Sequence, residues 1–131
     1  MRVPTVIPFE IARSADGIVV ERFELERLID EDTAVVVLSH VAFRSGFMYN
    51  MKEVTEFGPQ QGSTAIWDLC HSAGATVIDL EESGADMAVG CTYKYLNGGP
   101  GSPSFIYVRK KSCRRKPGFS CMGLAGRKRP F

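Results

Sequence analysis

The strongest constraint on the fold is an unbroken apolar run, AVVVL, at residues 34–38. A strand that alternates apolar and polar residues exposes one face to water, whereas an unbroken run predicts a strand buried on both faces. Strands of that kind occur in parallel sheets, because the connections of such sheets place helices on the two faces. The run therefore predicts an α/β fold with a mostly parallel sheet.

The rest of the sequence up to residue 108 alternates between helix and strand patterns. Helices are predicted over residues 21–32, 51–61 and 81–84, and Gly58 and Pro59 should end or kink the second. Strands are predicted over residues 33–40, 65–69, 87–91 and 104–108, with turns at 71–75 and 97–101. This alternation favours an α/β fold, and 131 residues suffice for one core.

Charge divides the chain into two unequal parts. The whole sequence carries a net charge of +1, but residues 1–108 carry −8 and residues 109–131 carry +9. The basic segment has no apolar periodicity, so taken alone it is predicted to be disordered or poorly packed. A basic segment also suggests a nucleic-acid or acidic-surface binder, but its aromatic residues, Phe119 and Phe131, form no stacking pattern.

Several classes of protein are excluded by composition. No run of eighteen apolar residues exists, which excludes a membrane-spanning helix, and the N-terminus has no apolar signal segment, which argues against secretion. The four cysteines lie at positions 70, 91, 113 and 121, too far apart for the close pairs that structural zinc sites use. We therefore expect no metal site, reduced thiols and a cytoplasmic location.

Polar residues that could take part in catalysis or ligand binding follow three of the predicted strands. Ser39 ends the first strand, Asp68 ends the second with His71 three residues later, and Tyr93 and Lys94 follow the third. Ligands bind at the carboxyl ends of the strands in open α/β sheets. A lysine among desolvating groups can form an imine, and a carboxylate can hold a proton on a pyridine nitrogen, as pyridoxal phosphate (PLP) requires.

Each of these residues also has an ordinary structural interpretation. A single lysine after a strand usually lies on the surface, an aspartate at a strand end is more often a helix cap, and a lone histidine is more often structural. Tyr93 and Tyr95, two positions apart, are more often packing residues of the core or its rim. The order and spacing of the residues together favour a cofactor site, with Asp68 and Lys94 joined by one strand–helix–strand crossover.

At these same residues the sequence resembles the kynureninases, which are PLP enzymes of the aspartate aminotransferase (type I) superfamily, class V branch. The resemblance is carried by three stretches: DTAVVVLSHV at 32–41, WDLCHSAG at 67–74 and GCTYKYLNGGPG at 90–101. The last is highly specific, because other class V members, such as cysteine desulfurases, place a histidine directly before the lysine, where this chain has Tyr93. The resemblance covers about residues 20–108.

The resemblance implies a role for each candidate residue. Lys94 matches the lysine that binds PLP covalently and later moves the substrate Cα proton, and Asp68 matches the aspartate paired with the pyridine nitrogen. His71 and Ser39 match residues beside the cofactor. Tyr93 matches a tyrosine that contacts the phosphate and is a candidate proton donor. Lys94 and Tyr93 are thus the expected catalytic residues, and all five are expected to bind the cofactor.

The implied reaction is the hydrolysis of L-kynurenine to anthranilate and L-alanine, with 3-hydroxykynurenine as an alternative substrate, in tryptophan catabolism and NAD biosynthesis. The family leads us to expect a cytoplasmic homodimer with a small-molecule substrate, no membrane contact and no nucleic acid. Residues 1–108 are expected to be the incomplete central part of a PLP type I large domain, lacking the family's other phosphate-binding and ring-stacking segments. Residues 109–131 depart from the family and are expected to be disordered or to come from a shifted reading frame. The alternative is a truncated, non-catalytic remnant of the fold.

Overall fold

Four strands form one sheet in a computed structural model that describes residues 8–57 and 63–110. The elements in chain order are α1 (Arg22–Leu28), β1 (Val35–Ser39), α2 (Met51–Phe57), β2 (Thr64–Asp68), β3 (Met87–Cys91) and β4 (Ser104–Val108). The basic segment predicted at 109–131 lies outside the described residues, apart from Arg109 and Lys110. The same holds for the predicted break at Gly58 and Pro59.

The strands lie in the order β1-β2-β3-β4. β1 pairs parallel with β2 and β2 pairs parallel with β3, whereas β4 runs antiparallel to β3. The prediction of a mostly parallel α/β sheet is therefore confirmed, and β3 and β4 have the predicted limits. Parallel pairing brings the carboxyl ends of β1, β2 and β3 to the same edge of the sheet.

The prediction that β1 is buried on both faces is wrong for the described residues. The side chains of Val35 and Val37 are 50% and 64% exposed, while those of Val36 and Leu38 between them are half-buried. β1 is an edge strand, and Ile106 on β4, on the same face of the sheet as Val35 and Val37, is also exposed. An apolar run shows which residues favour burial, but it does not show which face of the strand other segments cover.

The opposite face of the sheet carries the core. Trp67 is 1% exposed and packs in a buried cluster whose other members are Met51, Leu69, Ala85 and Ala88. The Trp67 indole Nε1 donates a hydrogen bond to the Thr55 hydroxyl of α2 at 3.3 Å. The buried His40 ring meets the Trp67 ring edge-on, with 6.2 Å between the ring centroids. Trp67 thus joins the central strand to α2 and to the residue that follows β1.

The first predicted helix ends four residues before the predicted limit. α1 stops at Leu28, and Ile29 has an extended backbone with φ −94° and ψ 113°. The Asp30 and Thr33 side chains then bond to each other at 2.8 Å, and the Thr33 hydroxyl accepts from the Asp30 N–H at 3.0 Å. Short polar side chains that bond to nearby backbone groups compete with a helix, which explains the early end.

The acidic helix predicted at 81–84, and with it the strand–helix–strand crossover from Asp68 to Lys94, is also wrong. Turns connect β2 to β3 in the described residues. Asp79 Oδ1 accepts from the Glu82 N–H at 2.8 Å, but Gly84 follows with φ +75°. This left-handed glycine ends the turn before a helix can form.

His40 should make the stability of the fold depend on pH. Burial lowers its pKa from 6.5, against a smaller opposing effect from the backbone of Tyr49. Protonation then favours the unfolded chain, so stability is complete above the unfolded pKa and is lost as the pH falls below it. We expect the free energy of unfolding, measured with urea, to fall between about pH 7.5 and about pH 5.5, and to fall less in His40→Phe. An equal fall in both proteins would contradict this assignment.

Candidate functional site

The candidate site lies at the carboxyl-end edge of the parallel strands. Ser39, the last residue of β1, is in register with Asp68, the last residue of β2, so both side chains are on one face of the sheet. The Asp68 carboxylate accepts a hydrogen bond from the Cys70 N–H at 2.8 Å, which turns the chain at the end of β2. β3 ends at the same edge with Cys91, three residues before Lys94.

Lys94 and His71 are in direct contact at this edge. Lys94 Nζ lies 2.9 Å from His71 Nε2, although the residues are 23 positions apart, and the contact is partly buried. Which of the two nitrogens donates depends on the tautomer of the His71 ring. The Phe43 ring lies beside the His71 ring, with 6.0 Å between centroids. The imidazole therefore has the lysine amine at its Nε2 and an aromatic ring beside it.

The turn that carries Lys94 is held by backbone contacts. The Asn97 N–H donates to the Lys94 carbonyl oxygen at 3.1 Å, and the Gly98 N–H donates to the Thr92 carbonyl oxygen at 2.8 Å. The Thr92 hydroxyl donates to the Pro103 carbonyl oxygen at 2.6 Å. Asn97 has φ +56°, a left-handed conformation that asparagine tolerates better than most residues. These bonds fix the backbone on both sides of Lys94.

Gly74 allows the His71 turn to approach the Lys94 turn. A Cβ on Gly74 would lie 2.7 Å from the Tyr95 carbonyl oxygen, closer than real side chains come, and Gly74 has φ +86°. Glycine is therefore needed there for two reasons, its backbone conformation and its lack of a side chain.

The predicted site residues divide into two groups. His71 and Lys94 are in contact, and the Tyr93 ring, which is about half exposed, has its centroid 5.6 Å from Lys94 Nζ. Asp68 and the exposed Ser39 are register partners at the same edge of the sheet. The structure thus brings all five residues to the ends of adjacent strands, with direct side-chain contacts in the group around Lys94.

Sequence reasoning missed Cys70 and Phe43. Burial first, and then the neighbouring Asp68 carboxylate, raise the pKa of the Cys70 thiol to about 11. The position of Cys70 between Asp68 and His71 is a signal that could have identified it. Phe43 lies in the loop after β1, and no spacing pattern relates it to His71.

Residues 8–57 and 63–110 lack two features. They contain no group of three or more histidine, cysteine, aspartate or glutamate residues arranged to hold a metal ion. In the same ranges, no helix has the length and apolar character needed to cross a membrane.

Comparisons with known proteins identify a matching protein family and several similar proteins. The family model described as "Aminotransferase class-V" matches residues 10–122. A kynureninase from Pseudomonas fluorescens is 53% identical over 94 residues, which cover 72% of this chain and 23% of that protein. A kynureninase from Burkholderia mallei is 52% identical over 91 residues, covering 70% of this chain and 22% of that protein. The chain spans less than a quarter of the length of these curated relatives.

Solved structures share the fold. An apo cysteine desulfurase from Thermococcus onnurineus superposes with a TM-score of 0.68 at 20% identity, over 78% of this chain and 25% of that one. An alanine–glyoxylate aminotransferase from Nostoc sp. gives a TM-score of 0.64 at 25% identity, over 77% of this chain and 28% of that one. The chain therefore shares its fold with the matching parts of these two structures.

Gly74 provides a test of the close approach at the site. Gly74→Ala and Gly99→Ala both place a side chain at a positive φ, which costs about 1–2 kcal/mol. Only Gly74→Ala must also displace the Tyr95 backbone, since nothing lies within 4 Å of a Cβ on Gly99. We expect Gly74→Ala to lose about 1–3 kcal/mol more free energy of unfolding in urea than Gly99→Ala. Equal losses would mean that the two turns do not pack as described.

Proposed function

Since the chain belongs to the class-V aminotransferase family, we propose that it is the central part of a kynureninase, a PLP-dependent enzyme that hydrolyses L-kynurenine, or 3-hydroxykynurenine, to release L-alanine. The support for this substrate is the identity of more than half of the aligned residues with proteins named kynureninase. Tryptophan catabolism and NAD biosynthesis follow from that reaction. We also propose that this kynureninase forms a homodimer in the cytoplasm.

One observation gives the proposal its main structural support. The amine of Lys94 is held 2.9 Å from His71, at the sheet edge where Asp68 ends the neighbouring strand. An amine and a carboxylate at the ends of adjacent strands are the two groups that a pyridine aldehyde needs, one for its carbonyl carbon and one for its ring nitrogen.

The residues present fit PLP by their chemistry. Lys94 would bind the aldehyde covalently, Asp68 would pair with the pyridine nitrogen, and His71 and Ser39 would lie beside the ring. Tyr93 would contact the phosphate through its hydroxyl. Bound PLP supplies an electron sink that takes up the charge left when the substrate Cα loses its proton.

The chain's own residues would then hold and move protons. Lys94 Nζ would take the substrate Cα proton, and the hydrogen bond between Lys94 Nζ and His71 Nε2 would keep that nitrogen in place. The Asp68 carboxylate would hold a proton on the pyridine nitrogen. Tyr93, beside Lys94, is the proposed proton donor when the carbon–carbon bond has been cleaved.

A second candidate function is that of a non-catalytic remnant that keeps this fold but does not hold PLP. The observation that favours it is coverage, because the chain corresponds to only 22–23% of the relatives' length. PLP binding by the 131-residue chain separates the two candidates.

We expect the full chain, mixed with PLP and reduced with borohydride, to carry a pyridoxyl group on the peptide that contains Lys94, identified by mass spectrometry. Lys94→Ala should abolish the adduct, because it removes the amine that lies beside His71 at this sheet edge. Lys52→Ala is the matched control, since Lys52 lies on α2 and pairs with Glu82 at 3.8 Å, and this variant should keep the adduct.

A reduced adduct on Lys94 in the wild-type chain, together with fluorescent anthranilate formed from L-kynurenine by a separate, unreduced sample that contains PLP, would support the kynureninase assignment. Labelling spread over several lysines and unaffected by Lys94→Ala would favour the non-catalytic remnant.

A further inference from the structure

We propose that Phe43 is a positioning residue for the Lys94 amine and that it acts through His71. Its ring lies beside the His71 imidazole and keeps that ring in the orientation in which Nε2 meets Lys94 Nζ. The contact itself does not depend on a cofactor, whereas its consequence for PLP binding rests on the proposed function. Neither the resemblance nor the family match assigns a role to this phenylalanine.

Three side chains from three different segments follow one another at this edge of the sheet. The rings of Phe43 and His71 have 6.0 Å between their centroids and 34° between their planes, and His71 Nε2 lies 2.9 Å from Lys94 Nζ. The terminal torsion of a histidine side chain has broad minima, and a lysine stem is flexible, so the hydrogen bond alone does not fix the imidazole. A neighbouring aromatic ring restricts its rotation.

The loop that carries Phe43 is held on both sides of this residue. The Ala42 N–H donates to the Phe47 carbonyl oxygen at 2.8 Å, which closes the loop. The Ser45 hydroxyl donates to the Ile18 carbonyl oxygen at 2.6 Å, which ties the loop to the segment before α1. A residue that orients another must itself be held in place, and these bonds meet that condition.

Burial indicates that Phe43 does not serve the core. Its side chain is 78% exposed, whereas that of Trp67 in the buried cluster is 1% exposed. The gain from removing apolar surface from water is therefore small for Phe43. The pairing of its ring with that of His71 is the interaction that accounts for its place, and ring pairs contribute energy beyond burial.

The positioning role is tested first without PLP, by the nuclear Overhauser effect between His71 Hε1 and the ε-methylene protons of Lys94 in the full chain. The wild type should show this effect, because the two side-chain nitrogens are 2.9 Å apart. Phe43→Leu keeps an apolar side chain but removes the ring, and should lose most of the effect. Phe43→Tyr keeps a ring and should retain it.

Phe23→Leu is the matched control, because Phe23 is also an exposed phenylalanine but lies on α1. It should leave the effect between His71 and Lys94 unchanged. The effect between the His40 and Trp67 rings is an internal reference, since a general loss of structure would weaken both. An unchanged His71–Lys94 effect in Phe43→Leu, or equal losses in Phe43→Leu and Phe23→Leu, would overturn the positioning role.

The consequence for the cofactor is tested by PLP affinity, measured by the change in cofactor absorbance. Phe43→Leu should weaken PLP binding by roughly threefold to tenfold, the contribution of one aromatic pair, whereas Phe43→Tyr and Phe23→Leu should stay within about twofold of the wild type. Unchanged affinity in Phe43→Leu would overturn this consequence. If the wild type itself bound no PLP, the proposed function would fail, and the Overhauser effects would still decide whether Phe43 positions His71.

Discussion

The parallel pairing of β2 with both of its neighbours is the constraint on which the rest of the structure depends. The register that places Ser39 opposite Asp68, and Asp68 opposite Val89, brings three strand ends to one edge of the sheet. Every group of the candidate site lies at these ends or in the turns that follow them. Trp67 secures the arrangement from the opposite face, because it is buried between the sheet and α2.

The site is built by close backbone contacts between two turns. Gly74 lets the turn after β2 touch the turn after β3, and the bonds around Asn97 and Gly98 hold the second turn in place. These contacts explain why an imidazole and an amine 23 residues apart are within hydrogen-bonding distance. Cys91 at the end of β3 adds a link between the same two strand ends, because its sulfur donates to the Cys70 carbonyl oxygen at 3.9 Å. Pre-organisation of this kind lets a site bind its ligand without first ordering the chain.

Much of this arrangement could be predicted from sequence, and the failures have physical causes. The limits of β3 and β4 followed from short apolar runs bounded by turn residues, and the placing of Asp68 and Lys94 at one edge followed from a parallel sheet. Burial of β1 was wrong because apolar character does not show which face a neighbouring segment covers. The prediction of a helix at 81–84 was wrong because Gly84 ends the turn, and Cys70 was missed because a single cysteine has no periodic pattern, although its position between Asp68 and His71 could have identified it.

The most direct test of the central claim, a cofactor site at this sheet edge, uses the chain's two histidines. His71 contacts Lys94, whereas His40 packs against Trp67, whose side chain is on the face opposite Asp68. With ¹⁵N-labelled histidine in the full chain, addition of PLP should shift the side-chain NMR signals of His71 in a saturable way and leave those of His40 in place. No saturable shift of His71, or equal shifts of both histidines, would contradict the claim.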